Sequence, residues 1–398
     1  MDIRRMTLWE SRNATFMQNN YIRTVIEDQG EVGLELSTRT LQGGILNALS
    51  LPYFRGTGSS VYSDPNYEFW KSKQTVYQAG GIYFTFPNRN EQHINSNVSY
   101  WMVRRYGTEE SYGGVWRLSE LKSREEGNRF LLRKLDLILP EHPVLYTLIE
   151  ATNLGDESLD CVAEVHAMLG CPFIDKGCLI QTSASRFVAF APNLREVAVG
   201  QFESDTYFSS LEKAPLKKGG TTNAGIIPGV TGSYDYLMAE AEGGDLEYIT
   251  VTNPHLQLCY ALLFPGEKAA KADPRLFPMP NMDFTFNYLG RMDAPWALYE
   301  GGTPQVFSLT LGAGYMDHHG AFPTSPTYSL SPSESKRFIY ANAFLPYENT
   351  RLNNGYYTME KGDMSLTMKR TKSYTQFAAD YRFRIISTLM DRLSESVQ

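Results

Sequence analysis

A long succession of short runs constrains this chain most: apolar and polar residues alternate within each, and Gly, Pro, Asn or Asp breaks it off. A period of two sends successive side chains to opposite faces, which is the mark of a half-buried strand. Residues 20–26 alternate, Asp28-Gln29-Gly30 turns, and Val32, Leu34 and Leu36 alternate again, so this stretch reads as a hairpin. Further runs cover 43–49, 80–87, 130–139, 144–151, 159–169, 186–191, 198–202, 249–252, 257–264, 284–288, 306–311 and 337–344. Many short strands with turn signals between them predict an all-β fold, a sandwich or barrel.

Two segments depart from the pattern. Residues 205–240 are rich in Gly, Ser, Thr and Lys and read as a long excursion, of the kind that is functional or partly disordered. At the C-terminus Phe377, Tyr381, Ile385, Leu389 and Leu393 recur every four residues, which predicts an amphipathic helix over about 374–395, docked on the sheets. Neither a clean internal repeat nor a Pro/Ser linker divides the chain, so a single domain over 1–398 is expected. All-β units of this size run long as single domains.

Bulk chemistry narrows the function. With 37 basic against 44 acidic residues, a net charge of -7 and no basic stripe, the chain has little to offer a nucleic acid. No apolar run approaches the roughly 20 residues that span a bilayer, and Met1-Asp2-Ile3-Arg4-Arg5 opens no signal-peptide core. Four cysteines are too few for a disulfide framework in 398 residues. A cytoplasmic location is the resulting expectation, and it makes the Asn13-Ala14-Thr15 and Asn97-Val98-Ser99 sequons chance matches. Nothing in the sequence sets an oligomeric state.

GxSxG, HExxH, CxxC and phosphate-loop motifs are all absent. The six histidines therefore carry more weight. On a strand, Glu164 and His166 share a face while Val165 and Ala167 take the other. A carboxylate beside an imidazole either tunes its proton affinity or is a satisfied polar pair at a strand end. His93 lies in the polar stretch 88–97 that leads into Tyr100-Trp101. Polar side chains beside aromatic rings suit sugar hydroxyls and the apolar face of a pyranose; a solvated loop before an aromatic core is the plainer reading. Arg55 belongs to an aromatic-rich segment that rims a cleft or packs on the sandwich end. Asp317 and His319 share a face if extended, but one short cluster is too little for a metal centre, so neither metal nor cofactor is expected.

The opening hairpin followed by Gly43-Gly44-Ile45-Leu46-Asn47-Ala48-Leu49 resembles the start of aldose 1-epimerases and their relatives in the galactose mutarotase-like superfamily. The stretch Tyr146-Thr147-Leu148-Ile149-Glu150-Ala151-Thr152-Asn153-Leu154-Gly155-Asp156-Glu157 resembles the superfamily's strand with an Asn-x-Gly-Asp turn, which leads to a histidine strand, here with His166. Leu330-Ser331-Pro332-Ser333-Glu334 is similar to its late Leu-x-Pro-Gly-Glu turn. The resemblance implies a large β-supersandwich of antiparallel sheets with a sugar cleft. It implies a histidine that protonates the ring oxygen and a carboxylate that deprotonates the anomeric hydroxyl, so that the ring opens, rotates and recloses. By position His166 is the acid, His93 orients the substrate, and Asp317 is nearest to the base, with Glu300 a second choice. Arg55, Trp101, Glu164 and His319 complete the expected sugar site. The sequence departs from the family in lacking a well-placed glutamate and in having His93-Ile94 where His-Gly is usual. That leaves two alternatives open: a non-catalytic carbohydrate-binding protein, or a glycosidase or lyase recruiting two of Asp64, Asp283, Asp293 and Glu300.

Overall fold

A computed structural model describes residues 1–9, 12–28, 30–40, 42–50, 80–87, 101–123, 129–140, 142–190, 200–290, 307–315, 322, 327–346, 358–362, 365–369 and 374–395. Two antiparallel sheets dominate. Among the described residues the larger has 12 strands. From one edge it runs Asp2–Trp9, Arg12–Gln18, Ile22–Glu27, Gly33–Arg39, Gly81–Thr85, Ala163–Gly170, Phe307–Tyr315, Asn281–Tyr288, Ser233–Ala241, Ala184–Phe190 and Tyr207–Phe208, with Ile45–Asn47 beside Gly33–Arg39. The second, among the described residues, has 8 strands in the order Leu179–Thr182, Leu246–Asn253, Leu258–Pro265, Ser335–Pro346, Val144–Asn153, Phe130–Ile138, Gly114–Lys122 and Met102–Glu109.

Period-two alternation sets what each face does. Val165, Ala167 and Leu169 point into the core between the sheets, joined by Leu309, Leu311 and Ala313, by Met282, Phe284 and Phe286, and by Leu237 and Ala239. Leu132, Ile149, Tyr260 and Phe344 meet them from the second sheet. Each side chain of this kind contributes about 1.5–3 kcal/mol on burial. The second sheet is apolar on its outer face too, because a helix, Ala379–Glu395, covers it. Phe383, Ile386, Leu389, Met390 and Leu393 pack there on Leu135, Leu137, Tyr146 and Leu148.

The helix begins later than its sequence period suggests. Residues Tyr374–Ala378 form a strand in register with Ser365–Lys369, so Phe377 belongs to a sheet and the helix starts at Ala379. Pairing with that strand takes these residues out of the helix. The excursion at 205–240 is also shorter than expected. Its last part, Ser233–Ala241, is an internal strand of the large sheet, Tyr207–Phe208 is an edge strand of the same sheet, and 209–232 is a chain of short bridged turns.

The hairpin turn after Ile22–Glu27 faces inward. Asp28 and Glu31 are buried against the second sheet, where Arg117 donates to both Glu31 oxygens at 2.5 and 2.6 Å. Lys134 Nζ lies 3.2 Å from Glu31 and 3.0 Å from Asp136, and Thr15 and Arg5 both donate to Asp28 at 2.7 Å. Burial alone would lower the Arg117 pKa, but Glu31, Asp136 and Asp28 together raise it, so the guanidinium stays charged inside the sandwich.

The two turn motifs singled out in the sequence are stapled together. Asn153 donates from Nδ2 to the carbonyls of Glu157 and Leu330 at 2.8 and 2.9 Å, and its Oδ1 accepts from Gly155 N–H at 2.8 Å. Its backbone exchanges hydrogen bonds with Glu334 and Ser333. Ser333 stands at φ 63°, the left-handed conformation that glycine adopts without cost.

Among the described residues no helix is long and apolar enough to cross a membrane.

Candidate functional site

The face of the large sheet turned away from the core is polar where the sheet is central. Strand register lays it out in rows. Thr85 pairs with Glu164, Glu164 with Gly314, and Gly314 with Asn281. In the next row Tyr83 pairs with His166, His166 with Gly312, Gly312 with Asp283, and Asp283 with Met238. Antiparallel partners share a face, so these side chains line one surface.

His166 is the centre of it. Its Nε2 lies 2.7 Å from Glu164 Oε2, a contact that follows from their i, i+2 spacing on one strand. Tyr83 stacks on the imidazole with ring centroids 4.9 Å apart. On the opposite edge of the ring, Nδ1 stands 3.8 Å from Asp283 Oδ1. Tyr236 O–H donates to the other Asp283 oxygen at 2.8 Å. His166 is 6% exposed, Asp283 2% and Glu164 0%.

Two glycines make this arrangement possible. A Cβ on Gly312 would stand 1.7 Å from Asp283 Oδ1, and one on Gly314 would stand 2.1 Å from the Ala163 carbonyl oxygen. Around Glu164, His166 and Asp283, Thr85 Oγ1, Thr310 Oγ1 and Asn281 Oδ1 are buried and have no hydrogen-bond partner among the described residues. Leaving such groups unsatisfied costs about 1–3 kcal/mol each.

Glu164, His166 and Asp283 each present one ligand atom within 4.8 Å of the others, the span of a metal centre. The orientation of the ring argues for a different use. Its shortest contacts pair the carboxylates with different ring nitrogens, Nε2 with Glu164 and Nδ1 with Asp283. With Nε2 engaged by Glu164, Nδ1 is the nitrogen left to exchange a proton, which is how a positioned imidazole works as a general acid or base.

Of the residues expected at the site, the structure brings together His166 and Glu164. Trp101 is buried in the apolar core between the sheets, at the head of the strand Met102–Glu109. His93, Arg55, Asp317 and His319 lie outside the described residues, as do Asp64, Asp293 and Glu300. Asp283, weighed in the sequence only as a recruitable glycosidase carboxylate, stands beside His166. Tyr83, Tyr236 and Gly312 were not anticipated. The strict alternation Asn281-Met282-Asp283-Phe284-Thr285-Phe286-Asn287 was the available signal, since it puts every polar residue of that strand on the face of His166.

Solved structures share this architecture. A galactose mutarotase-like protein from Clostridium acetobutylicum superposes with a TM-score of 0.57 at 11% identity, over 87% of this chain and 99% of that one. The chain has a galactose mutarotase-like fold. A galactose mutarotase related enzyme from Lactobacillus acidophilus matches with a TM-score of 0.51 at 10% identity, over 85% of this chain and 98% of that one. A TPR-domain containing protein from Parabacteroides distasonis matches at 0.52 and 12% identity over 85% of this chain, which spans about half, 48%, of that longer one. No protein-family model and no curated protein matches the sequence. At such low identities the likeness in this galactose mutarotase-like chain is one of fold, and its function must be argued from the site.

Proposed function

We propose that this chain is a carbohydrate-active protein that interconverts the anomers of a sugar bound on the polar face of the large sheet, with His166 as the proton donor to the ring oxygen. The reading rests above all on one observation: His166 is held by Glu164 at 2.7 Å with its other nitrogen turned to a second carboxylate, in the middle of a galactose mutarotase-like sheet. Opening a pyranose needs a proton delivered to the ring oxygen and another removed from the anomeric hydroxyl, and a buried imidazole between carboxylates suits that exchange. Tyr83, stacked on the imidazole and half-buried, supplies an aromatic wall. A single domain over 1–398, residing in the cytoplasm without a metal or cofactor, belongs to the same reading.

The test is anomer exchange measured by NMR for aldoses, ketoses, uronic acids and sugar phosphates, with and without the protein. Accelerated exchange for one sugar class is the expected result. Line broadening of a sugar without acceleration would replace this reading with that of a binding protein. Release of product from oligosaccharides, with no effect on monosaccharides, would replace it with that of a glycosidase or lyase.

A further inference from the structure

A nitrogen lone pair that takes a proton also takes a metal ion, and the hydrogen bond at one ring nitrogen of a histidine decides which nitrogen is left for it. In His166 Nε2 is held by Glu164 at 2.7 Å, and Nδ1 stands 3.8 Å from Asp283 Oδ1. Zinc binds imidazole nitrogen and carboxylate oxygen at about 2.0–2.2 Å each. Two such bonds add to slightly more than 3.8 Å, so an ion seated just off the Nδ1–Oδ1 line reaches both atoms. Glu164 is then no ligand but the partner behind the ring. A ligating histidine commonly gives its other N–H to a carboxylate, which fixes the ring and strengthens it as a ligand. Tyr236 O–H engages the second oxygen of Asp283 at 2.8 Å and so leaves Oδ1 as the one toward the ring. The intervening strand Phe307–Tyr315 brings no side chain between these groups: His166 and Asp283 flank Gly312, and Glu164 and Asn281 flank Gly314. Asn281 shares the face of Asp283 two residues away, and its Oδ1 is buried without a hydrogen-bond partner among the described residues. An amide oxygen of this kind is a neutral donor to a cation.

We infer that His166 Nδ1 and Asp283 Oδ1, with Asn281 Oδ1 as a third donor, bind a divalent cation of the zinc class. The donor set selects the ion. Imidazole beside carboxylate suits zinc and its transition-metal neighbours, whereas magnesium and calcium take six or more oxygen ligands. His166, Asp283 and Asn281 are all buried, so a bound ion is held out of bulk water. Where Nδ1 carries a proton, the metal takes its place and the proton leaves to solvent. On the reading of His166 as the acid of anomer exchange, an occupied site has no proton to give the ring oxygen, and zinc switches the activity off. Binding of the ion itself does not depend on that reading.

The experiment titrates zinc chloride calorimetrically into the full chain, stripped beforehand with a chelator, and assays the same samples for anomer exchange. One zinc per chain is expected, bound more tightly as pH rises because the ligand nitrogen must be unprotonated. Glu164→Gln is expected to weaken binding about 10–100-fold, the cost of losing the partner behind a ligating histidine, and Asp283→Asn at least as far. Excess magnesium chloride should not displace the zinc. Absence of zinc binding, or an Asp283→Asn protein that binds zinc within about threefold of the wild type, would overturn the site. If the variants do not fold, nitrogen-15 spectra of the wild-type histidine rings decide: a ring whose Nδ1 signal moves with zinc while its Nε2 keeps its proton supports the site, and any other pattern overturns it. Zinc binding that depends on Asp283, in a protein that accelerates no sugar, would end the reading of anomer exchange and leave the metal site standing.

Discussion

Asp283 and Gly312 share one space: the Oδ1 of the aspartate lies 1.7 Å from the point where a Cβ on residue 312 would stand. The glycine is thus a condition of the His166–Asp283 approach. Gly312→Ala must push the carboxylate away from the imidazole. Overpacking of this kind costs about 1–3 kcal/mol, and anomer exchange is expected to drop at least about tenfold, since small misplacements of reacting groups are expensive. Thermal melting and exchange NMR on the same sample check both numbers.

Glu164 orients the imidazole through Nε2 and is fully buried beside it. Glu164→Gln keeps the shape and permits a hydrogen bond, but removes the carboxylate charge beside Nε2. The expected outcome is a fall of about 10²–10³ in exchange rate with sugar affinity little changed, because general acid–base contributions have this size. A KM-to-kcat comparison separates this from a binding defect.

Arg117 is the cation on which Glu31, Asp28 and Asp136 converge inside the sandwich. Arg117→Met removes it while the carboxylates stay buried. Breaking a buried ion pair from one side costs about 3–5 kcal/mol, so chemical denaturation should show a loss of that order. A second change, Glu31→Gln, is expected to restore part of it.

Ser333 holds a left-handed backbone, φ 63°, in the turn that Asn153 staples to the Asn-x-Gly-Asp turn. Ser333→Gly should stabilise the protein by about 0.5–1 kcal/mol, because a side chain is disfavoured in that conformation. Asn153→Ala should destabilise it by about 2 kcal/mol or more through the buried carbonyls left unpaired. Melting temperatures of the two variants should move in opposite directions.

Asp235 is buried on the core face of Ser233–Ala241, and burial raises its pKa against the opposing pull of the Phe202 and Gln201 amides that it accepts. A carboxyl whose folded pKa exceeds its unfolded value contributes stability below the unfolded pKa. That contribution is lost as pH rises through the folded value. Asp235→Asn removes the loss and can still accept both amides. The variant is expected to gain stability over the wild type at pH 7, with the difference shrinking toward pH 4 and below, as read from denaturation midpoints across that range.

Local pattern made much of this molecule legible. Period-two alternation located many of the described strands, including the hairpin around residues 28–30, but passed over Asp2–Trp9, Arg12–Gln18, Met102–Glu109 and Gly114–Lys122; it put Glu164 and His166 on one face because that relationship depends only on two neighbouring positions of one strand. The four-residue stripe found the last helix for the same reason, though not its start, which pairing with another strand decided at residues 374–378. Ser233–Ala241 escaped notice because Gly- and Ser-rich chain before it masked the alternation of its own residues. What sets His166 beside Asp283 and Tyr83 was settled by pairing between distant segments. The approach of Asp283 requires the register of Ala163–Gly170 against Phe307–Tyr315 and of that strand against Asn281–Tyr288, with a glycine at the crossing. Such contacts are fixed by which strands lie side by side, a cooperative choice made by the whole core. No run of neighbouring residues encodes it alone.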